Sequence, residues 1–289
     1  MLGKIAMLVA SVTMPLSAFA EGGQVLKRTG KWIVDADDGA CHLYAEFGEG
    51  DGASIVRFSR YSLNPNFEFH LFGPQAKTES LERVELDFGL GAATSRTGMG
   101  GVAGTTPVLI MNNVRLDGFV PQKPMDSGPE ITPADEARLT GVTIRRVRQA
   151  DLQLEFGSLG KPFEQLRVCM GNLFTRWGYG PQVQMTLSRK VSPKGDPSKW
   201  VTDDDYPAEA LRKRQMGVVD FRLDIDASGS VTDCAIFKRT DAAELLSKKV
   251  CEMLSRRARF NPALDATGAP VRSFFVSRFT WRIPFAGRK

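Results

Sequence analysis

Apolar and polar residues alternate along most of the first 160 or so positions. Cys41, Leu43, Ala45 and Phe47 alternate with His42, Tyr44 and Glu46, and Phe67, Phe69 and Leu71 with Glu68 and His70. Val84, Leu86 and Phe88 alternate with Glu85 and Asp87, and Leu152, Leu154 and Phe156 with Gln153 and Glu155. A period of two describes a strand with one face buried and one wet. Turn chemistry separates the runs, at Gly48 to Gly52 and at Asn64-Pro65-Asn66. The period then changes. Phe163, Leu166, Met170, Leu173, Phe174 and Trp177 recur at steps of three and four, which predicts a helix with one apolar stripe, opened by Pro162 and ended by Gly178. Residues 21–190 are thus expected to form a β-rich domain, packed from about Gln24, with a covering C-terminal helix. Gly89 to Gly104 is rich in Gly, Ala, Ser and Thr, and Pro121 to Pro133 carries four prolines; both predict exposed loops, with a helical turn at Asp135 to Ala137 after the second.

Residues 191–205 have the polar, proline-containing composition of a short linker. At its end and beyond, Asp203 to Asp205, Pro207, the basic Arg212 to Arg214 and Gly217 are agreeing signals for a helix. Val219, Phe221, Leu223 and Ile225 alternate with charged residues as a half-buried strand. Asp226 to Gly229 turns the chain into a second strand, Val231 to Phe237. Asp241 suits the cap of a further helix with the stripe Leu246, Val250, Met253, Leu254 and Ala258. Asn261-Pro262-Ala263 stops it. A last strand, Val271 to Ile283, places Phe275, Phe279, Trp281 and Ile283 on one phase and Arg272, Arg278 and Arg282 on the other. The expected fold class is α+β: a β-rich domain followed by a small module of helix, β-hairpin, helix and strand.

The order of features in this last part carries a resemblance. Tyr206-Pro207-x-x-Ala210, Gly217-x-Val219-x-Phe221, Asp226-x-x-Gly229-x-Val231 and Phe260-x-Pro262-Ala263 with Gly268-x-Pro270 together resemble the C-terminal domain of TonB-type energy transducers, over about residues 206–285. The resemblance implies a two- or three-stranded sheet with helices on one side, whose exposed edge takes up an extended peptide from a protein partner, in the family a TonB-dependent outer-membrane receptor. It further implies a partner-binding role for Tyr206, Pro207, Arg272, Phe274, Val276, Arg278 and Arg282. From the sequence alone, the arginines read more readily as a solvated face than as a guide for a partner strand. One departure stands out: Lys238-Arg239-Thr240 replaces the Ser-Ser-Gly that many relatives carry after the second strand.

The N-terminus changes the setting. Lys4 precedes an apolar stretch from Ile5 ending Ala18-Phe19-Ala20, the pattern of a cleaved secretory signal over residues 1–20. Ser11, Thr13, Pro15 and Ser17 interrupt it, and it is shorter than the roughly 20 apolar residues of a spanning helix. A periplasmic protein follows, with an uncleaved anchor and a true transducer as the alternative. The net charge of +5 is mild, and no basic tract alternates with aromatics, so nucleic acid is not an expected partner.

Four cysteines in an oxidising compartment imply pairing, with three connectivities open. Cys41–Cys169 and Cys234–Cys251 keep each bridge within one domain, and the loop-entropy relation assigns them about 5 and about 3 kcal/mol. Metal, small-molecule cofactor and catalysis are not expected. There is no CxxC, and the two histidines, His42 and His70, lie on the polar phase of strands. Asp87-Phe88-Gly89 lacks the hydroxyl of an aspartic-protease motif and reads as a strand end, and Gly98 to Ala103 lacks the helix that a dinucleotide fingerprint requires. A secreted hydrolase using His42, His70 or Asp87 is the least favoured reading.

Overall fold

A computed structural model describes residues 23–62, 65–78, 80–120, 128–147 and 149–283; the signal expected over residues 1–20 lies outside them. The first part comprises β1 (Gln24–Lys27), β2 (Ile33–Ala36), β3 (Cys41–Phe47), β4 (Ser54–Arg60), β5 (Phe67–Phe72), β6 (Leu81–Asp87), β7 (Thr94–Ala103), β8 (Thr106–Val114), α1 (Pro133–Arg138), β9 (Gly141–Arg146), β10 (Leu152–Glu155), α2 (Gly160–Arg176) and α3 (Pro181–Met185). Ten strands make one sheet in the order β1-β10-β9-β6-β7-β8-β5-β4-β3-β2. The sheet curls back on itself: Arg28, just past β1, bridges Phe47 at the end of β3, and Thr29 N donates to Glu46 O at 2.9 Å. The alternating residues fill the inside, where Phe58 meets Phe69, Phe156 and Phe163 of α2, and Phe47 meets Phe156. The helical stripe is buried as its spacing predicts, and a Cys41–Cys169 disulfide ties α2 to β3.

One expectation fails instructively. Much of Gly89 to Gly104 is not a loop but β7, hydrogen-bonded between β6 and β8. Gly98 and Gly100 permit close approach: a Cβ at Gly98 would lie 2.7 Å from both Leu109 Cδ1 and Val84 Cγ2, and one at Gly100 would lie 2.2 Å from Thr78 Cγ2. Composition suggested flexibility where the cause is crowding. The turn of helix expected near Asp135 is α1, closed by a capping box between Thr132 and Asp135.

The second part comprises β11 (Ser192–Pro193), α4 (Ala208–Arg212), β12 (Gly217–Ile225), β13 (Val231–Ile236), α5 (Glu244–Arg257), β14 (Phe260–Asn261), β15 (Ala263–Leu264), β16 (Pro270–Val271) and β17 (Ser273–Trp281). A three-stranded antiparallel sheet, β13-β12-β17, packs one face on α5. The Cys234–Cys251 disulfide joins β13 to α5. Residues 191–205, expected as a linker, pack onto this module: β11 pairs with β14, and Trp200 and Val201 enter its core.

Two local expectations are corrected. The acidic run Asp203 to Asp205 forms a single 3-10 turn, capped by Thr202 and Asp205, and Pro207 starts α4 as a separate element. Asp241 does not cap α5, which begins after Ala243 without a side-chain cap. The Asp241 carboxylate instead accepts from Val218 N, and Asp241 N donates to Val218 O, which latches the chain to β12.

Candidate docking edge and domain junction

The edge strand β17 follows from the pairing of β12. Asp220 O accepts from Phe237 N, and Val218 O from Asp241 N, so the even residues of β12 direct their backbone groups away from β17. The odd residues Val219, Phe221 and Leu223 therefore pair with Phe279, Ser277 and Phe275. Successive backbone groups alternate sides, so the N–H and C=O of Phe274, Val276, Arg278 and Thr280 point to the outer edge. No strand pairs there among the described residues. At the start of that edge Arg272 O accepts from Gln184 Nε2 at 3.1 Å, and Ser273 Oγ donates to Gln184 Oε1 at 2.6 Å. The open stretch thus begins at about Phe274.

The faces of the same sheet are less available than the arginine phase suggested. Phe274 is 5% exposed and belongs to the first domain's core, with ring centroids 5.0 Å from Phe174, 5.0 Å from Trp177 and 5.1 Å from Tyr179. Val276 packs against that core too. The Arg272 guanidinium covers the Tyr179 ring at 4.5 Å. Arg278 pairs with Glu68 of β5 at 2.9 Å and with Asp220 at 3.3 Å. Of these three arginines, Arg282 alone is exposed with neither an ion pair nor a ring contact among the described residues. Tyr206 stacks edge-on against Trp281 at 4.8 Å and donates to Gln215 O, and Pro207 opens α4, so both are built into the module's own packing.

The departure at Lys238-Arg239-Thr240 has a structural cause here. Phe237 stacks on Trp177 at 5.9 Å and sits against Gly39, where a Cβ would come within 2.7 Å of its ring. Lys238 N donates to Asp38 Oδ2 at 2.8 Å. Arg239 lies 4.0 Å over the Tyr61 ring and pairs with Asp220 at 3.1 Å, and Thr240 Oγ1 accepts from Asp220 N. This turn is a contact with the first domain.

A charge cluster spans the junction. Tyr61 O–H donates to Glu68 Oε2 at 2.6 Å, and His70 Nε2 lies 3.3 Å from the same oxygen. Burial would raise the Glu68 pKa, but the His70 hydrogen bond, the Arg278 charge and the Tyr61 hydroxyl outweigh it and hold it at about 2. Burial lowers the His70 pKa, against the pull of Glu68. His70 Nδ1 faces the Arg57 guanidinium, which fits a neutral ring carrying its proton on Nε2. His70 is buried, where the polar phase of its strand had suggested an exposed or half-buried ring.

One further alignment leaves no mark in the sequence pattern. His42 Nδ1 lies 2.8 Å from Ser59 Oγ and His42 Nε2 lies 3.2 Å from Asp37 Oδ2. The residue types are those of a nucleophilic triad, but the ring is reversed relative to the usual Nε2-to-Ser order. Ser59 is also fully buried in β4. Its hydroxyl offers no attacking position to a substrate. Asp87 ends β6 with its carboxylate turned to Gly89 N at 2.9 Å.

A sheet of this strand order, with α5 on one face and an unpaired outer edge, is what the C-terminal resemblance implied. Residues 203–283 match the family model of the Gram-negative bacterial TonB protein C-terminal. Residues 203–283 thus form a TonB C-terminal-like module, a domain family that is non-enzymatic and serves transport. The match starts three residues before Tyr206 and leaves the ten-stranded domain outside it. No curated protein matches the chain. Among the described residues no helix is long and apolar enough to cross a membrane.

Proposed function

We propose that this TonB-like protein works in the periplasm after loss of residues 1–20, and that its module docks an outer-membrane receptor by adding an extended receptor segment to the outer edge of β17. The observation that carries this reading is the row of outward backbone groups at Phe274, Val276, Arg278 and Thr280, which lacks a strand partner among the described residues. An unpaired strand edge is a template for another chain, with main-chain hydrogen bonds giving affinity and alternate side chains giving preference. The ten-stranded domain holds the opposite side of the module, so the partner meets a rigid edge rather than a swinging arm. We read the chain as a docking protein and not as an enzyme.

Thr280→Pro tests this. Its N–H points outward, so its removal spares the ladder with β12. It leaves one carbonyl of the visiting segment unpaired, which costs about 1–3 kcal/mol, on the order of tenfold or more in affinity. Peptides from the N-terminal segments of outer-membrane receptors should bind the native protein and bind the variant at least tenfold more weakly by calorimetry. No binding by the native protein, or equal binding by both, overturns the reading. Mass spectrometry of the protein from the cell envelope should find Glu21 first; an intact N-terminus returns the anchored-transducer alternative.

A further inference from the structure

We propose that the cleft where the two domains meet is a side-chain pocket of the docking edge, and that it takes an uncharged hydrogen-bonding side chain, an amide or a hydroxyl, from the segment paired with β17. This rests on the docking reading above and adds a specificity that the module alone would lack.

The cleft has a volume of 290 Å³ and opens beside Val276 and Arg278 on one wall and Asn66, Asn112 and Asn113 on the other. The asparagines belong to the first domain: Asn112 and Asn113 end β8, and Asn66 precedes β5. In an antiparallel or parallel addition to β17, residues opposite Val276 and Arg278 carry their side chains on the same face as those two. That face looks onto the first domain. The pleat of the visiting strand therefore directs alternate side chains into the cleft, and the others out over the α5 side of the sheet.

The chemistry of the walls selects among such side chains. The cleft's charges balance in number, Glu68 against Arg278 and Asp220 against Arg239, with Arg278 also 3.3 Å from Asp220, while Arg239 Nε and Nη1 are buried there without a hydrogen bond among the described residues. An entering carboxylate or ammonium would leave the cleft with an unbalanced charge and would lose hydration, whereas a neutral oxygen can accept from Arg239 without that cost. A large aliphatic group would desolvate the asparagines without replacing their hydrogen bonds. An amide or hydroxyl can give and accept at once, as they do. Asn66 and Asn113 have no side-chain hydrogen bond among the described residues, and Asn112 Oδ1 is buried at the same wall without a partner. Asn113 also sits at φ 53°, in the left-handed region that asparagine tolerates and that presents it at the rim.

The test uses the full chain and the receptor-segment peptides that bind it, with each position replaced in turn by Asn, Ser, Val and Asp. At one position, the peptide with Asn or Ser should bind about tenfold more tightly than that with Val or Asp. The double variant Asn66→Ala/Asn113→Gly, in which glycine keeps the left-handed backbone, should reduce that preference to within about twofold. The affinity of the Val peptide should stay unchanged. Binding with no preference at any position, or a preference undiminished in the double variant, overturns the pocket and leaves edge docking standing. Absence of binding by every peptide overturns both.

Discussion

Phe274→Ala should uncouple the two halves of this molecule. The Phe274 backbone belongs to the module's edge strand, but its ring is 5% exposed among Phe174, Trp177 and Tyr179 of the first domain. Truncating a buried Phe costs about 3–5 kcal/mol through lost transfer energy and the cavity left behind. Loss of tilted and edge-on contacts to three rings favours the upper half of that range, about 4 kcal/mol. Most of this would come from the contact between the domains, because the ring touches little of the module's own core. Urea unfolding and calorimetry should therefore show one cooperative transition in the native protein and two in the variant, with the two disulfides intact in both. Phe275→Ala is the control: its ring faces Phe260 in the other core, 5.1 Å away. It should weaken the module without splitting the transition. A loss below about 1 kcal/mol for Phe274→Ala, or a single transition at reduced stability, would refute the reasoning.

Two other perturbations probe the first domain and the junction. Replacing Cys41 and Cys169 together by alanine removes a cross-link spanning 128 residues. It should cost about 5 kcal/mol by loop entropy, read as a lower urea midpoint; an unchanged midpoint contradicts that assignment. The Glu68 carboxyl has its pKa depressed from 4.5 to about 2 by folding, so its contribution is full above pH 4.5 and is lost as the pH falls toward about 2. Glu68→Gln should lower stability at neutral pH and flatten the acid limb of the stability curve across that window; a parallel limb in the variant would remove Glu68 from the junction's energetics.

Local spacing reported what local physics controls. The period of two in β3, β5, β6 and β10, and the three-and-four spacing of α2 and α5, marked which side of each element meets its nearest core. Those sides are buried as expected. The module's turn and helix order sufficed for its resemblance. Where sequence reasoning missed, a distant partner decided. The glycines of β7 looked loose because composition cannot show that Val84 and Leu109 press on Gly98. Asp241 looked like a cap because the nearer helix was visible and β12 was not. The arginine phase of β17 looked solvated, although Phe274 and Val276 on that phase, with Phe237 just after β13, were a signal that this face is covered as well.

By itself the sequence determined the α+β class, the stripes of its helices and strands, and the identity of the C-terminal module, because backbone periodicity and turn chemistry act over a few residues. Tertiary structure alone decided that the ten strands curl into one sheet and that the module's second face closes on the first domain. It also decided that the open border of β17 adjoins an asparagine-lined cleft. Those outcomes depend on groups as far apart as Asp38 and Lys238, 200 positions along the chain, and no short-range pattern encodes which surfaces come together after each has folded.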